Sequence, residues 1–204
     1  MNWKRRELME WKRPLIRLLF LALFFFAGIL LGQVFSSRVP PATGEELTRY
    51  LTDYLQVEEE LTPQAALSAA VLYFRYPLAA FLLGFASIGV LLLPFATGAF
   101  GFFLSFSVSC FAAAFGADGV LLALAVFGIR CAVTLPCYFL LAVPSLERSL
   151  ALASLSLGVG RPPVNYGREW WSRLGVVFGA LLAGMCAELM LAPWLLRQLL
   201  ERIL

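Results

Sequence analysis

Long apolar runs, broken at only a few points, dominate the pattern of hydrophobic and polar positions along this chain. The largest run extends from Tyr76 to Pro144, and in these 69 residues only Asp118 and Arg130 carry a charge at neutral pH. A helix needs about 20 apolar residues to cross a hydrocarbon core of about 30 Å. Because lipid offers no partner for an unpaired backbone N–H or C=O, apolar segments of this length are expected to be helices.

Two weak points in this run, Pro94–Gly101 and the turn Gly116–Gly119, divide it into three predicted spans. With one apolar segment before the run and one after it, the pattern predicts an all-α, polytopic membrane helical bundle of about five transmembrane helices. The predicted spans are Leu15–Phe35, Pro77–Ala96, Phe100–Phe115, Val120–Val143 and Leu174–Leu195. Pro94–Gly101 is predicted to be a tight or re-entrant turn, and Ser145 is predicted to begin a separate interfacial helix.

Segment 36–75 is the only sizeable stretch with the polarity of a soluble segment. Thr43 and Glu46 match a helix capping box, and Thr62-Pro63 predicts the start of a second helix, so an external amphipathic helical hairpin is expected. One apolar stripe at helical spacing consists of Leu47, Tyr50, Leu51, Tyr54 and Leu55. These residues are candidates for docking a partner protein. Packing on the chain's own bundle and lying on the bilayer are the alternatives.

Composition narrows the class of protein further. The chain is 61% apolar and only 14% charged, whereas a soluble domain carries about a quarter charged residues. The net charge of +3 comes from basic residues beside the predicted spans, which indicates membrane topology rather than nucleic-acid binding. The absence of histidine excludes Ser-His-Asp and Cys-His mechanisms and His-ligated metals within this chain. The four cysteines form no C-x-x-C pair, so neither a disulfide framework nor a zinc site is expected. No catalytic residue, metal or cofactor site is predicted.

The basic flank of the first span predicts the orientation in the membrane. Five basic residues against two acidic ones in 1–14 place the N-terminus in the cytoplasm and make the first span an uncleaved signal anchor. The predicted segments are a cytoplasmic N-terminus (1–14), a first span (15–35), an extracytoplasmic helical loop (36–75), a core of three spans (76–144), a cytoplasmic interfacial helix and loop (145–173), a fifth span (174–196) and an external tail (197–204).

Two opposite charges lie inside predicted spans. Arg130 falls near the middle of the fourth span and Glu188 past the middle of the fifth. Each alone costs on the order of 3 kcal/mol in a membrane helix, so pairing of the two is the simplest hypothesis. The alternatives are a path for ions or protons, or contact with a buried carbonyl or a partner subunit.

Small residues recur at short spacings in three predicted spans. Missing side chains on one ridge let helix backbones approach closely, which favours helix association in lipid. The candidate packing positions are Gly28, Gly32, Gly84, Gly89, Gly175 and Gly179. They predict contacts either within the chain or with another chain, including a second copy in a homo-oligomer.

Several motifs in the Tyr73–Val143 block point to a known family. They are Phe74-Arg75-Tyr76-Pro77, Leu83-Gly84-Phe85 with Gly89, Gly98-Ala99-Phe100-Gly101-Phe102, Phe115-Gly116 with Gly119, and Leu135-Pro136. With these motifs the block resembles the stage II sporulation protein M family of bacterial membrane proteins.

The resemblance implies a non-catalytic role in spore formation. The family's namesake lies in the mother-cell membrane and anchors two partner proteins that degrade peptidoglycan, supporting septal thinning and engulfment of the forespore. The expected partners are therefore cell-wall hydrolases and the lipid bilayer of the inner membrane, without nucleic acid. The competing hypothesis is a small membrane transporter, or a subunit of one, that uses Arg130 and Glu188.

Overall fold

The computed structural model describes residues 3–38, 63–158 and 167–203. These residues form four helices: α1 (Trp3–Ser36), α2 (Pro63–Leu83), α3 (Gly89–Ser156) and α4 (Arg168–Ile203). The described ranges contain helices and turns but no strand, so the predicted all-α class is confirmed.

Helix α3 consists of two limbs joined at Gly116. This residue has φ 63° and ψ −136°, a conformation that residues with a Cβ rarely adopt. Residues 89–115 form the first limb and residues 117–156 form the second limb. The break falls within the predicted Gly116–Gly119 turn because only glycine allows the chain to change direction there at little cost.

Close contacts show that α1 runs parallel to the first limb of α3. A Cβ on Gly28 would lie 2.0 Å from the Gly98 carbonyl oxygen, and one on Gly32 would lie 2.6 Å from that of Phe102. The contact residues advance along both helices in the same direction. Glycine at these positions lets the two backbones touch.

The remaining segments alternate in direction. The rings of Phe81 and Trp170 stack 4.7 Å apart, and those of Phe74 and Phe178 lie 4.8 Å apart, so α2 and α4 are antiparallel. The second limb of α3 is antiparallel to α1, because Glu147 near its end pairs with Arg17 near the start of α1.

The chain reverses direction at residues 84–88, between α2 and α3, and not at Pro94–Gly101 as predicted. That predicted turn is helical and belongs to the first limb. The prediction failed because Gly101 serves helix contact: its Cβ would lie 2.3 Å from the Phe25 carbonyl oxygen. At the true reversal the Ser149 hydroxyl donates to the Ala86 carbonyl at 2.7 Å.

The second limb also continues beyond its predicted end. It passes through Pro144 to Ser156, so Ser145 does not begin a separate interfacial helix but is fully buried within α3. Leu146 lies in the core at 3% exposure. A proline removes one backbone donor, and a membrane helix tolerates this where neighbouring helices pack around it.

Four described segments are long and apolar enough to cross a membrane. They are Pro14–Ser36, Gly89–Ala113, Phe127–Ser156 and Arg168–Leu191, and the apolar part of α2, Ala69–Leu83, is shorter. Their outward positions carry many exposed leucine, valine and phenylalanine side chains. A surface of this kind is favourable against lipid and unfavourable against water. The chain is therefore a multi-pass membrane protein.

Candidate functional site

The most polar cluster inside the described part of the bundle joins α2, the second limb of α3 and α4. It consists of Tyr73, Arg130 and Glu188, which are distant in sequence. Glu188 is only 2% exposed and Tyr73 is fully buried. The structure thus brings together the two charges that the sequence singled out and adds the Tyr73 phenol beside them.

Both carboxylate oxygens of Glu188 accept hydrogen bonds. Arg130 Nη2 donates to Oε1, and Arg130 Nε donates to Oε2 at 3.3 Å. The Tyr73 hydroxyl lies 2.5 Å from Oε2 and 3.1 Å from the Gly184 carbonyl oxygen. Arg130 also lies beside the Tyr73 ring, with Cζ 5.8 Å from its centroid. The bidentate contact between Arg130 and Glu188 is both strong and directional.

Local packing explains why α4 can reach Arg130. Gly184 lies one turn before Glu188 on the buried face of α4, and a Cβ there would come within 2.8 Å of the Val133 side chain. Val133 is three residues after Arg130 on α3. The missing side chain of Gly184 therefore lets the two helices approach at the level of the ion pair. The Thr134 hydroxyl donates back to the Arg130 carbonyl at 2.8 Å.

The cluster is electrically neutral, with one positive and one negative charge. A buried pair is stable only where its geometry is good and its remaining polar atoms are hydrogen-bonded, and both conditions hold for Glu188. Removing one partner would leave the other charge buried. The arrangement can therefore lock three helical segments together.

A second ion pair lies at the other end of the bundle. Arg17 Nη1 and Glu147 Oε2 are 2.7 Å apart, and Glu147 is largely exposed. On the adjacent residue, Arg148 Cζ lies 3.8 Å above the ring of Trp170. Exposed ion pairs contribute little to stability, so the Arg17–Glu147 pair adds little to the packing of the helices. It shows which residues of α1 and α3 lie at the same level in the bundle.

The candidate packing glycines have different surroundings. Gly28 and Gly32 contact α3, and Gly84 and Gly89 lie against Ser145 and Ser149 at the reversal. Gly175 and Gly179 have no described atom within 4 Å of an added Cβ, because they lie on the outward face of α4. The candidate docking residues, Leu47, Tyr50, Leu51, Tyr54 and Leu55, lie outside the described residues.

Tyr73 and Gly184 were missed by sequence reasoning. Gly184 carried a usable signal, since it precedes Glu188 by four residues and so shares its helix face. Tyr73 carried none, because its partners are 111 and 115 residues away in the chain.

Comparisons with protein-family models, with curated proteins and with solved structures found no match to this chain.

Proposed function

We propose that this chain is a non-catalytic membrane scaffold that anchors peptidoglycan-degrading partners during septal thinning and engulfment in endospore formation. The proposal rests on where the structure places the glycines of the motifs that resemble the stage II sporulation protein M family. Gly84 and Gly89 lie at the helix reversal, Gly98 and Gly101 lie against α1, and Gly116 breaks α3. These motif positions support a helical framework, as a scaffold requires.

The proposed location is the bacterial inner membrane, with the N-terminus in the cytoplasm. The basic residues before the first span support this orientation. The alternating directions of α1, α2, the two limbs of α3 and α4 then bring the end of α4 to the outside. The segment between α1 and α2 faces the cell wall in this arrangement, where hydrolases act.

The positions of the two ion pairs support a structural role for Arg130 and Glu188. Arg130 precedes Glu147 by 17 residues, which is about 26 Å along a helix. The pairs are therefore separated by nearly the thickness of a hydrocarbon core, which is about 30 Å. With Arg17–Glu147 at one boundary in the proposed arrangement, Arg130–Glu188 lies near the other boundary.

A transporter is the alternative, favoured by one observation. A cleft of about 150 Å³ adjoins Arg130. Transport requires water to reach Glu188, whereas Glu188 is only 2% exposed. A thiol-labelling experiment distinguishes the transporter from the scaffold. A single cysteine is placed at Thr134 in a variant without other cysteines and is treated with a membrane-impermeant thiol reagent. Strong labelling would favour a transport path, and protection would favour the scaffold.

The scaffold is tested by affinity purification of the tagged full-length chain from gently solubilised membranes of sporulating cells, with mass spectrometry of the bound proteins. Recovery of cell-wall hydrolases is expected, and it should be lost on deletion of Glu45–Gln64. Aspartate substitutions at Leu47, Leu51 and Leu55 should weaken recovery. Glutamine substitutions at Glu45 and Glu46 serve as the matched control. Recovery of the protein alone would overturn the proposal.

A further inference from the structure

One face of α2 is exposed along the helix and carries a single charge at its centre. The exposed side chains on this face recur every three or four residues, which places them on one side of the helix. They are Leu67, Val71, Arg75, Leu78 and Leu82. Four of the five are apolar, so Arg75 interrupts a surface that otherwise suits lipid or the apolar side of another helix.

Arg75 lies at the middle of the apolar spans. The ring of the next residue, Tyr76, stacks on that of Phe100 with the centroids 4.6 Å apart, and the rings of Phe100 and Phe25 are 5.9 Å apart. Phe25 is the central residue of the span Pro14–Ser36. Lipid headgroups lie at the edges of the hydrocarbon core, so the bilayer itself offers Arg75 no counter-charge at this depth.

Arg75 also has no counter-charge among the described side chains, since none of their carboxylates forms an ion pair with it. Its guanidinium lies 4.6 Å from the centroid of the Tyr76 ring. This contact holds the guanidinium in place without neutralising it. An arginine inside a membrane span is costly, and such residues usually pair with an opposite charge. The missing partner of Arg75 is therefore an anionic group that lies within the hydrocarbon core.

The cleft of about 150 Å³ between α2 and the two limbs of α3 adjoins this face of α2. Arg75 lines the cleft together with Tyr76 and Ser107, whose hydroxyl groups are further hydrogen-bond donors. Phe103, which also lines the cleft, is 53% exposed, so the cleft opens on the outer surface of the bundle. A carboxylate that approaches from the lipid side can therefore reach the guanidinium.

We propose that this face of α2 docks a membrane-spanning helix of a partner protein that carries an aspartate or glutamate near its midpoint. The carboxylate pairs with Arg75, because a guanidinium presents two parallel donors to its oxygens. Apolar side chains of the partner helix pack on Val71 and Leu78, one turn before and one turn after Arg75. Docking of this kind is independent of the proposed recruitment of hydrolases, because it uses only charge and depth within the membrane.

A second copy of the chain offers no described carboxylate for this role. Glu188 and Glu147 are paired with Arg130 and Arg17, and Glu169 lies in the first turn of α4, at the end of a span. The charge and the depth of Arg75 therefore match a helix of a different protein.

Förster resonance energy transfer between the full-length protein and a synthetic single-span helix tests the proposal. The synthetic helix has about 20 leucine and alanine residues with glutamate at the centre, and its matched control has glutamine there. The protein carries the acceptor at a C-terminal tag, the helix carries the donor, and both are reconstituted in phosphatidylcholine vesicles. The protein should bind the glutamate helix about tenfold more tightly than the glutamine helix. Arg75→Gln should abolish this preference, whereas Arg173→Gln, which removes an exposed arginine from α4, should keep it.

Four results would overturn the proposal. Equal binding of the two helices by the unsubstituted protein would show that the carboxylate is not recognised, and this result requires no variant to fold. A preference that persists in Arg75→Gln would place the carboxylate elsewhere. Binding only after deletion of Glu45–Gln64 would show that the chain's own segment occupies the face. Energy transfer between two labelled copies that Arg75→Gln abolishes, without binding of the synthetic helix, would identify a second copy as the occupant.

Discussion

Arg130 and Glu188 are 58 residues apart in the chain, and their side chains form a buried ion pair that joins the second limb of α3 to α4. The Tyr73 hydroxyl donates to the same carboxylate from α2. Three helical segments therefore meet at one carboxyl group, and the stability of the bundle should depend on it more than on any exposed contact.

The first prediction concerns the ion pair. Arg130→Leu and Glu188→Leu should each lower the free energy of unfolding by about 3 kcal/mol, because each leaves an unpaired buried charge. The double variant should lose much less than the sum of the two, since it removes both charges. Unfolding of the four proteins in mixed detergent measures the coupling. Strictly additive losses would show that the two residues do not stabilise each other.

The second prediction concerns the phenol. Tyr73→Phe removes one hydrogen bond to Glu188 and should cost about 1 kcal/mol of unfolding free energy. The cost should nearly vanish in a Glu188→Leu background, because the acceptor is gone.

Tyr138→Phe is the matched control for this measurement. The Tyr138 hydroxyl lies 2.7 Å from Thr97 Oγ1, and Tyr138 is also fully buried. Tyr138→Phe should lower the free energy of unfolding by a similar amount. This loss should add to that of Glu188→Leu, because the Tyr138–Thr97 contact shares no residue with the Glu188 cluster. If Tyr73→Phe were equally additive, the Tyr73–Glu188 bond would contribute nothing.

The third prediction separates glycines that contact a helix from those that face outward. Gly28→Ala should destabilise the protein by about 1–3 kcal/mol, because its Cβ would lie 2.0 Å from a backbone oxygen of α3. Gly179→Ala should be neutral or stabilise α4 by up to about 1 kcal/mol, since nothing described lies within 4 Å. Thermal unfolding of both variants measures the difference. Equal effects would contradict the close packing of α1 on α3.

The fourth prediction concerns the break in α3. Gly116→Ala should cost about 1–3 kcal/mol, although no described atom lies within 4 Å of an added Cβ, because the positive φ itself disfavours a side chain. Gly175→Ala, which also meets no described atom but lies within regular helix, is the control and should not destabilise. The melting temperatures of the two variants show whether Gly116→Ala destabilises the protein more than Gly175→Ala does. A tolerated Gly116→Ala would mean that α3 does not need this backbone conformation.

Sequence determined the class of this protein, its helical character and the break at Gly116. In apolar runs long enough to span the membrane, the backbone N–H and C=O groups must hydrogen-bond within a helix, because lipid offers no partner. This requirement acts locally along the chain. The opposite signs of Arg130 and Glu188 made their pairing the simplest hypothesis, because an isolated charge in a membrane helix is costly. The class and the break needed only the residues of one segment, and the pairing needed only the signs of two charges and their cost in the surrounding lipid.

Only the tertiary structure decided where the chain reverses and which glycines contact a neighbour. Gly84–Gly89 and Gly98–Gly101 look alike in sequence, yet one pair lies at a turn and the other lies against α1. The distinction depends on the depth and rotation of each helix relative to the others, and Tyr73 joined the Glu188 cluster for the same reason. Depth and rotation follow from packing among distant segments, which no local pattern of hydrophobic residues encodes.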